Sequence, residues 1–361
     1  MNKPLKVAVV GLGGIGRLHA TCYKNDELAE LVAVCDWQKD LAQKVGEQFG
    51  VDYFTDMKEL LNAHPELDFV SIATSGYENG SWHYEPVMMA LDAGKNVLVE
   101  KPISNRIEEA REMVAFAAKK GLYLGNNLNH YFSEPAYKAD ELIAQNKIGQ
   151  PVYLMTKVGF NGSSETYGGK GTPRWNMPYS HAKAFLTHPF SVLRHYGGNI
   201  THIQAFMDKP GVRKSADDLM LSVQSIHMRF ENGSVGYLLS QRGDASFGLG
   251  GWWSFEMAGT TGTFVIENCV EKLTYYTVNK EPEVFNTGVT DFNATFPKRL
   301  HAYLEDLTNG VSPEHLRASG RDALATMEYI NAAIESYENG GALVRPNPLP
   351  PIHGSLRNVN P

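Results

Sequence analysis

The side chains with the clearest chemical potential sit near the N-terminus. Gly11, Gly13 and Gly16 form a GxGxxG in VAVVGLGGIG, directly after the strand-like run Leu5–Val10 and at the start of a helical pattern. In that setting the first glycine permits a tight turn, the second lets the backbone approach a diphosphate, and the third lets helix and strand pack closely. A helix N-terminus adds unpaired N–H groups and a positive dipole end, so Gly14 and Ile15 join the expected phosphate contacts. Asp36 stands twenty residues beyond Gly16, at the end of the β-rich LVAVC. A carboxylate there accepts hydrogen bonds from both adenosine ribose hydroxyls and repels a 2′-phosphate, which favours NAD over NADP. The plainer alternative is a glycine turn in an ordinary α/β domain with an exposed aspartate; strand, helix and spacing together favour the cofactor.

Lys101 is the leading catalytic candidate. It follows the strand-like NVLVE, at the carboxyl end of a strand, where open parallel sheets place their ligands. An ammonium beside a reacting hydroxyl stabilises alkoxide character and relays a proton. Glu100 is expected to orient it. Trp37, Ala73, Thr74, His83, Glu100 and Lys101 complete the expected cofactor contacts.

The elements that must position these groups follow from hydrophobic periodicity. Leu5 to Val10, Leu31 to Cys35, Phe69 to Ala73, Asn96 to Val99 and Leu122 to Gly125 are predicted strands, separated by helical patterns such as Asp40 to Phe49 and Ile107 to Lys119. That alternation implies right-handed crossovers and a parallel sheet. Beyond Asn126 the rhythm changes. Helices are predicted over Pro135 to Gln145 and Lys183 to Tyr196, and a Gly- and Ser-rich loop from Asn161 to Ser180 carries Arg174 and Trp175. Long β-like runs then succeed one another without helices, which indicates a mostly antiparallel sheet. The expected architecture is an α/β Rossmann domain at residues 1–126 and an α+β domain with a large open sheet at residues 127–361.

A 361-residue chain with 43% hydrophobic and 20% charged residues supports two folded domains. Its net charge of -7 argues against a broad basic face for nucleic acid or an anionic membrane. Three scattered cysteines suggest no disulfide framework, and no apolar stretch reaches membrane-spanning length. These features, with no leader in view, point to a cytoplasmic protein with small-molecule partners. His181, His188, His195 and His202 recur every seven residues. Side chains seven apart on a helix lie about 10 Å apart, too far for one ion, so no metal is expected. His195 and His202 are read as structural.

The run HYEPVMMALDAGKNVLVEKP, His83 to Pro102, resembles the Gfo/Idh/MocA oxidoreductases, whose first domain ends in an H…AL.AGK.V..EKP segment. GTTGTFVIEN and SGRDALATMEYINAAIESYENG extend the resemblance to the C-terminal part. The resemblance implies a Rossmann domain followed by a domain whose open sheet shields the active site and mediates assembly, here as a homodimer or homotetramer. It also implies a D-x-x-x-H helix. His188 occupies the histidine position, but Ala184 stands where the aspartate belongs, so His181, Tyr179, Thr187 and His130 become candidate partners. In NNLNHYFSEPAY, Asn129 and Tyr131 fall where relatives carry N-x-R-F-x-P. Tyrosine in place of arginine favours neutral polyols over sugar acids.

Arg174, Trp175, His181, Thr187, Asn129 and Tyr131 are thus the candidate substrate contacts, with Lys101 and His188 catalytic. The extended loop at Tyr77 to Trp82 either caps the nicotinamide or forms plain surface. The leading expectation is reversible hydride transfer between NAD(H) and a carbon bearing a hydroxyl on a sugar, cyclitol or glycoside. Two alternatives stand beside it: transient oxidation that permits glycoside elimination, and a non-catalytic NAD or sugar sensor.

Overall fold

A computed structural model of the chain describes residues 3–75, 82–160, 177–209, 219–243 and 251–349. Arg174, Trp175 and the Tyr77 loop lie outside these residues. Two compact units emerge: one gathers Met1–Asn127 with Arg299–Ala325, the other Leu128–Lys298 with Thr326–Asn347.

The first unit is built on six parallel strands: β1 (Leu5–Val10), β2 (Ala29–Cys35), β3 (Asp52–Phe54), β4 (Phe69–Ile72), β5 (Asn96–Val99) and β6 (Leu124–Asn126). Their order, β3-β2-β1-β4-β5-β6, reverses direction between β1 and β4, which opens a crevice at the carboxyl ends of that pair. Helices α1 (Gly14–Lys24), α2 (Lys39–Phe49), α3 (Met57–Ala63), α4 (Tyr84–Asp92) and α5 (Ile107–Lys120) connect the strands. A parallel sheet buried on both faces explains the apolar Val7–Val10 stretch of β1 and the complete burial of β4. Phe69 exemplifies the core: its ring meets Tyr23 and Tyr303 edge-on at 5.4 Å each, and truncating it to alanine would cost about 3–5 kcal/mol.

Local chemistry fixes the helix ends. Asp56 caps α3 by accepting the Lys58 and Glu59 N–H groups, and Gly121 ends α5 in the left-handed region at φ 67°. The returning segment fastens β6, because the fully buried Arg299 guanidinium donates to the carbonyls of Asn126 and Ala318.

The second unit carries eight strands: β7 (Pro151–Phe160), β8 (Ile200–Asp208), β9 (Val223–Phe230), β10 (Val235–Arg242), β11 (Trp253–Gly259), β12 (Thr263–Glu267), β13 (Lys272–Tyr276) and β14 (Glu283–Asn286). They run in the order β14-β13-β12-β11-β7-β10-β9-β8, antiparallel throughout except at β7 against β10. Burial alternates along β8, β9 and β10, so one face enters the core. The other face leaves Tyr153, Met155, Phe206 and Val235 exposed. The GTTG turn joins β11 to β12, where the Gly259 N–H donates to Gly262 O at 2.9 Å.

Helices α6 (Glu134–Ala144), α7 (Ser180–Phe185) and α8 (Thr187–Gly197) belong to this unit, while α9 (Thr295–Thr308) and α10 (Gly320–Glu338) contribute residues to both. The single helix expected over Lys183 to Tyr196 is in fact α7 and α8, broken at Leu186. Pro189 does not break it. It lies in the first turn of α8, where a missing N–H costs no helical bond. Close packing explains Gly197, whose added Cβ would approach a Phe230 ring carbon to 2.6 Å.

Candidate active site

In the first unit β1 gives way to α1 within three residues. Gly11 has φ +86°, and a Cβ there would lie 2.6 Å from Thr74 N. Gly16 is tighter still, with a Cβ only 1.7 Å from Gly11 O. Gly13 and Gly14 differ in kind, since a Cβ on either meets nothing within 4 Å. Gly13 is the N-cap of α1, and no side chain caps that end. Bare backbone, open space and uncapped N–H groups fit a diphosphate, so the loop suits the NAD implied by the sequence. Ile15, 41% exposed, borders the same turn.

Asp36 does more than await a ribose. Its Oδ2 accepts the Leu12 N–H at 2.8 Å and its Oδ1 accepts the Gln38 N–H at 2.9 Å. One carboxylate therefore braces the glycine loop against the end of β2, and each oxygen retains accepting capacity for a hydroxyl. Trp37 beside it is 81% exposed, an apolar face at the rim. Ala73 is anchored by donating its N–H to Val10 O at 2.8 Å, and Thr74 Oγ1 donates to Trp82 O at 2.8 Å.

His83 is buried between two carbonyls, with Nδ1 2.8 Å from Pro102 O and Nε2 2.8 Å from Thr74 O. It thereby ties the loop after β4 to the loop after β5. Burial pushes its pKa below the ordinary histidine range, against the pull of the carbonyls. A neutral imidazole has one N–H and serves one carbonyl at a time.

Glu100 and Lys101 follow β5, and the Lys101–Pro102 peptide is cis. Glu100 Oε2 accepts the Lys101 N–H at 3.1 Å, so the carboxylate fixes the backbone that carries the ammonium. Its Oε1 faces His19 Nε2 at 3.0 Å and accepts from Asn127 Nδ2. Burial alone would raise the Glu100 pKa, but the His19 hydrogen bond and charge, the Lys101 charge and the Asn127 amide hold it below the ordinary range. His19 was not among the expected site residues. Its only signal is a polar residue on the buried face of α1, which Gly16, His19, Ala20 and Tyr23 define.

In the second unit His188 lies on the first turn of α8 and stacks on His130, with ring centroids 3.9 Å apart and planes 10° apart. Of the candidate partners for the missing aspartate, His130 is the one whose ring meets His188 face to face. The others are engaged elsewhere within the unit: His181 Nε2 with Ser240 Oγ at 2.7 Å, Thr187 Oγ1 with Thr326 Oγ1 at 2.7 Å, and Tyr179 OH with Glu338 at 2.6 Å. Ala184 is buried. Asn129 Nδ2 donates to Thr295 Oγ1 at 2.8 Å, and buried Tyr131 stacks on His195, whose Nε2 lies 3.1 Å from Asp140. Among the described residues no group of three His, Cys, Asp or Glu side chains is arranged to hold a metal ion, and no helix is long and apolar enough to cross a membrane.

Known proteins align with this geometry. Residues 5–128 match the profile of an oxidoreductase family with an NAD-binding Rossmann fold. The chain is 33% identical over 156 residues to D-glucoside 3-dehydrogenase of Escherichia coli strain K12, covering 43% of each chain. It is 31% identical over 152 residues to 2,7-anhydro-N-acetylneuraminate hydratase of Mediterraneibacter gnavus, covering 42% of this chain and 38% of that one. The matched stretches thus span less than half the length of these relatives. A levoglucosan dehydrogenase solved with NADH shares the fold at a TM-score of 0.82 and 18% identity, covering 96% of this chain and all of that one. With the glycine loop, the β2 aspartate and the EKP segment assembled on one parallel sheet, residues 5–128 match the NAD-binding Rossmann domain of the Gfo/Idh/MocA oxidoreductase family.

Proposed function

We propose that the chain is an NAD(H)-dependent oxidoreductase interconverting a secondary hydroxyl and a ketone on a sugar, cyclitol or glycoside. The observation that carries this reading is the α1 N-terminus: uncapped, flanked by open space at Gly13 and Gly14, and braced by Asp36. Bound there, NAD would accept or return the hydride of the reacting carbon. Gly11, Gly13, Gly14, Ile15 and Gly16 would hold the diphosphate, and Asp36 with Trp37 the adenosine. Ala73, Thr74 and His83 would border the nicotinamide side.

Lys101 would stabilise the hydroxyl oxygen as its proton leaves, with Glu100 fixing the lysine backbone. His188 would take or return that proton, with His130 stacked against it. Asn129, Tyr131, His181 and Thr187 are engaged inside their own unit, so we read them as holding His130 and His188 in place more than as reaching a sugar directly. Arg174 and Trp175 remain sugar contacts in this reading.

A second reading keeps NAD bound through the cycle and uses transient oxidation to acidify a neighbouring C–H, so that a glycosidic bond is eliminated. Ala184 in place of the aspartate and the likeness to a protein named as a hydratase favour keeping it. The exposed face of the second unit's sheet is the proposed contact surface of a homodimer or homotetramer, because it gathers apolar side chains.

The test is mass spectrometry of cofactor released from the purified chain, then a panel of sugars, cyclitols and glycosides. NADH formation at 340 nm, about its usual absorbance maximum, supports dehydrogenation. Product without net NADH supports elimination. No affinity for either nicotinamide dinucleotide refutes both, and a ligand-binding but inert chain would be the sensor.

A further inference from the structure

Behind Glu100 runs a buried polar chain that the reaction as proposed does not use. His19 and Tyr23 lie one turn apart on the buried face of α1, and Ser71 lies opposite on β4; all three are fully buried. The Tyr23 hydroxyl donates to Ser71 Oγ at 3.1 Å, Ser71 Oγ meets His19 Nδ1 at 2.9 Å, and His19 Nε2 meets Glu100 Oε1 at 3.0 Å. An ionised carboxylate only accepts, so His19 Nε2 carries the hydrogen of that last bond.

From this geometry we infer that His19 is a positioning residue: the Tyr23–Ser71–His19 chain orients the Glu100 carboxylate, and through it the backbone that presents Lys101. The inference rests on the reading of Lys101 as the group that handles the reacting hydroxyl. Two functions were open to such a chain, a proton exit or a static brace, and its far end decides between them. Tyr23 is sealed in the core, and burial drives its phenol far above the ordinary tyrosine range. A group that does not release its proton ends a relay, so the chain is a brace. The ionisable groups around Glu100 are His19 and Tyr23 from α1, His83 at the start of α4, and Lys101 itself. Among them His19 is the one whose hydrogen bond to the carboxylate is not from its own chain neighbour.

The test is carboxyl-carbon NMR of the NAD-free protein labelled at glutamate Cδ, with Glu100 identified by its absence in E100Q. In H19L the donor is gone, and the Glu100 titration midpoint should rise by about 1–2 pH units, the equivalent of one hydrogen bond to a charged group. H19Q restores an N–H near the Nε2 position and should move the midpoint back toward its original value. S71A, which frees the far side of the ring, should shift it in the H19L direction by less. With any substrate that reduces NAD, kcat of H19L should fall about 10- to 100-fold while NAD affinity holds, the signature of a displaced reacting group.

A folded H19L whose Glu100 titrates unchanged overturns the brace. Should H19L fail to fold, an unshifted midpoint in S71A overturns it equally. If the midpoint moves as stated and no hydroxyl substrate yields NADH with the unaltered protein, the brace stands and the dehydrogenase reading falls.

Discussion

Gly13 and Gly16 lie three residues apart in one loop, yet alanine at each should fail for opposite reasons. At Gly16 the added methyl would sit 1.7 Å from Gly11 O, whereas real Cβ contacts essentially never fall under 3.0 Å. The helix or the strand end must therefore retreat by about 1.3 Å, against strands packed on both faces. That is overpacking by backbone displacement, at about 3 kcal/mol or more, which lowers Tm by roughly 6–12 °C. At Gly13 the methyl meets nothing within 4 Å, and the backbone at φ -61° is open to any residue. The weaker N-cap of alanine and its smaller unfolded-state entropy nearly cancel, so stability should change by less than about 1 kcal/mol. The same methyl, however, projects to where the diphosphate is proposed to approach, and a clash of about 1–3 kcal/mol weakens NAD binding roughly 5- to 150-fold. Thermal melts with and without NAD, paired with calorimetric titration, separate the two effects. G13A that binds NAD as the unaltered chain does, or G16A that melts at the unaltered temperature, would refute the assignment of the loop.

Asp36→Ser removes two acceptors from the loop as well as the ribose partner, so it should lower Tm by about 4–8 °C, weaken NAD, and narrow the preference over NADP in paired titrations. A native preference for NADP would contradict it. Lys101→Ala should abolish turnover on any active sugar while retaining NAD in the purified protein, and undiminished kcat would remove Lys101 from the chemistry. Met155→Lys, on the exposed sheet face, should shift light-scattering mass toward the monomer; an unchanged oligomer would place the contact elsewhere. His83 and Glu100 are both held below their ordinary values, 6.5 and 4.5, so the unfolded chain takes up protons first on acidification. Stability is complete above about 6.5, declines through the histidine range and falls again below about 4.5; urea melts from pH 7.5 to 4 check this, and H83Q should flatten the upper step.

The first unit was legible because its signals are local. A strand, a glycine turn and an acid at fixed spacing each report on neighbours in sequence, and a parallel sheet leaves apolar runs that few other structures produce. What escaped was non-local. β3 and β14 are three and four residues long, too short for periodicity, and nothing in residues 299–325 announces that they pack with the first unit. β8 carries a weak signal of its own, because ITHIQAFMD mixes polar residues into an edge strand. The helix break at Leu186 carries no local signal, and the nearby Pro189 does not mark it, since sequence alone does not say in which turn a proline falls. At the site, Asp36 and the glycines follow from spacing. The bond from Asp36 to Leu12, and the placing of His19 against Glu100 across 81 residues, exist only once α1 has docked on the sheet.

The exchange of an aspartate for Ala184 changes the electrostatics of the second unit more than its shape. A carboxylate beside a histidine stabilises the imidazolium; a stacked imidazole does the reverse. Two imidazolium charges at the 3.9 Å separation of His130 and His188 would repel by about 4 kcal/mol at an effective dielectric of about 20. The aromatic edges of Trp253 and Phe292 around His130, at 5.6 and 4.9 Å, keep water from relieving much of that. Charge on both rings at once is therefore opposed, where a carboxylate would favour charge on His188. A D-x-x-x-H pair instead favours the charged form of its histidine. The departure from the family pattern thus removes the group that would favour a charged His188, which weakens it as a proton acceptor relative to a histidine paired with a carboxylate.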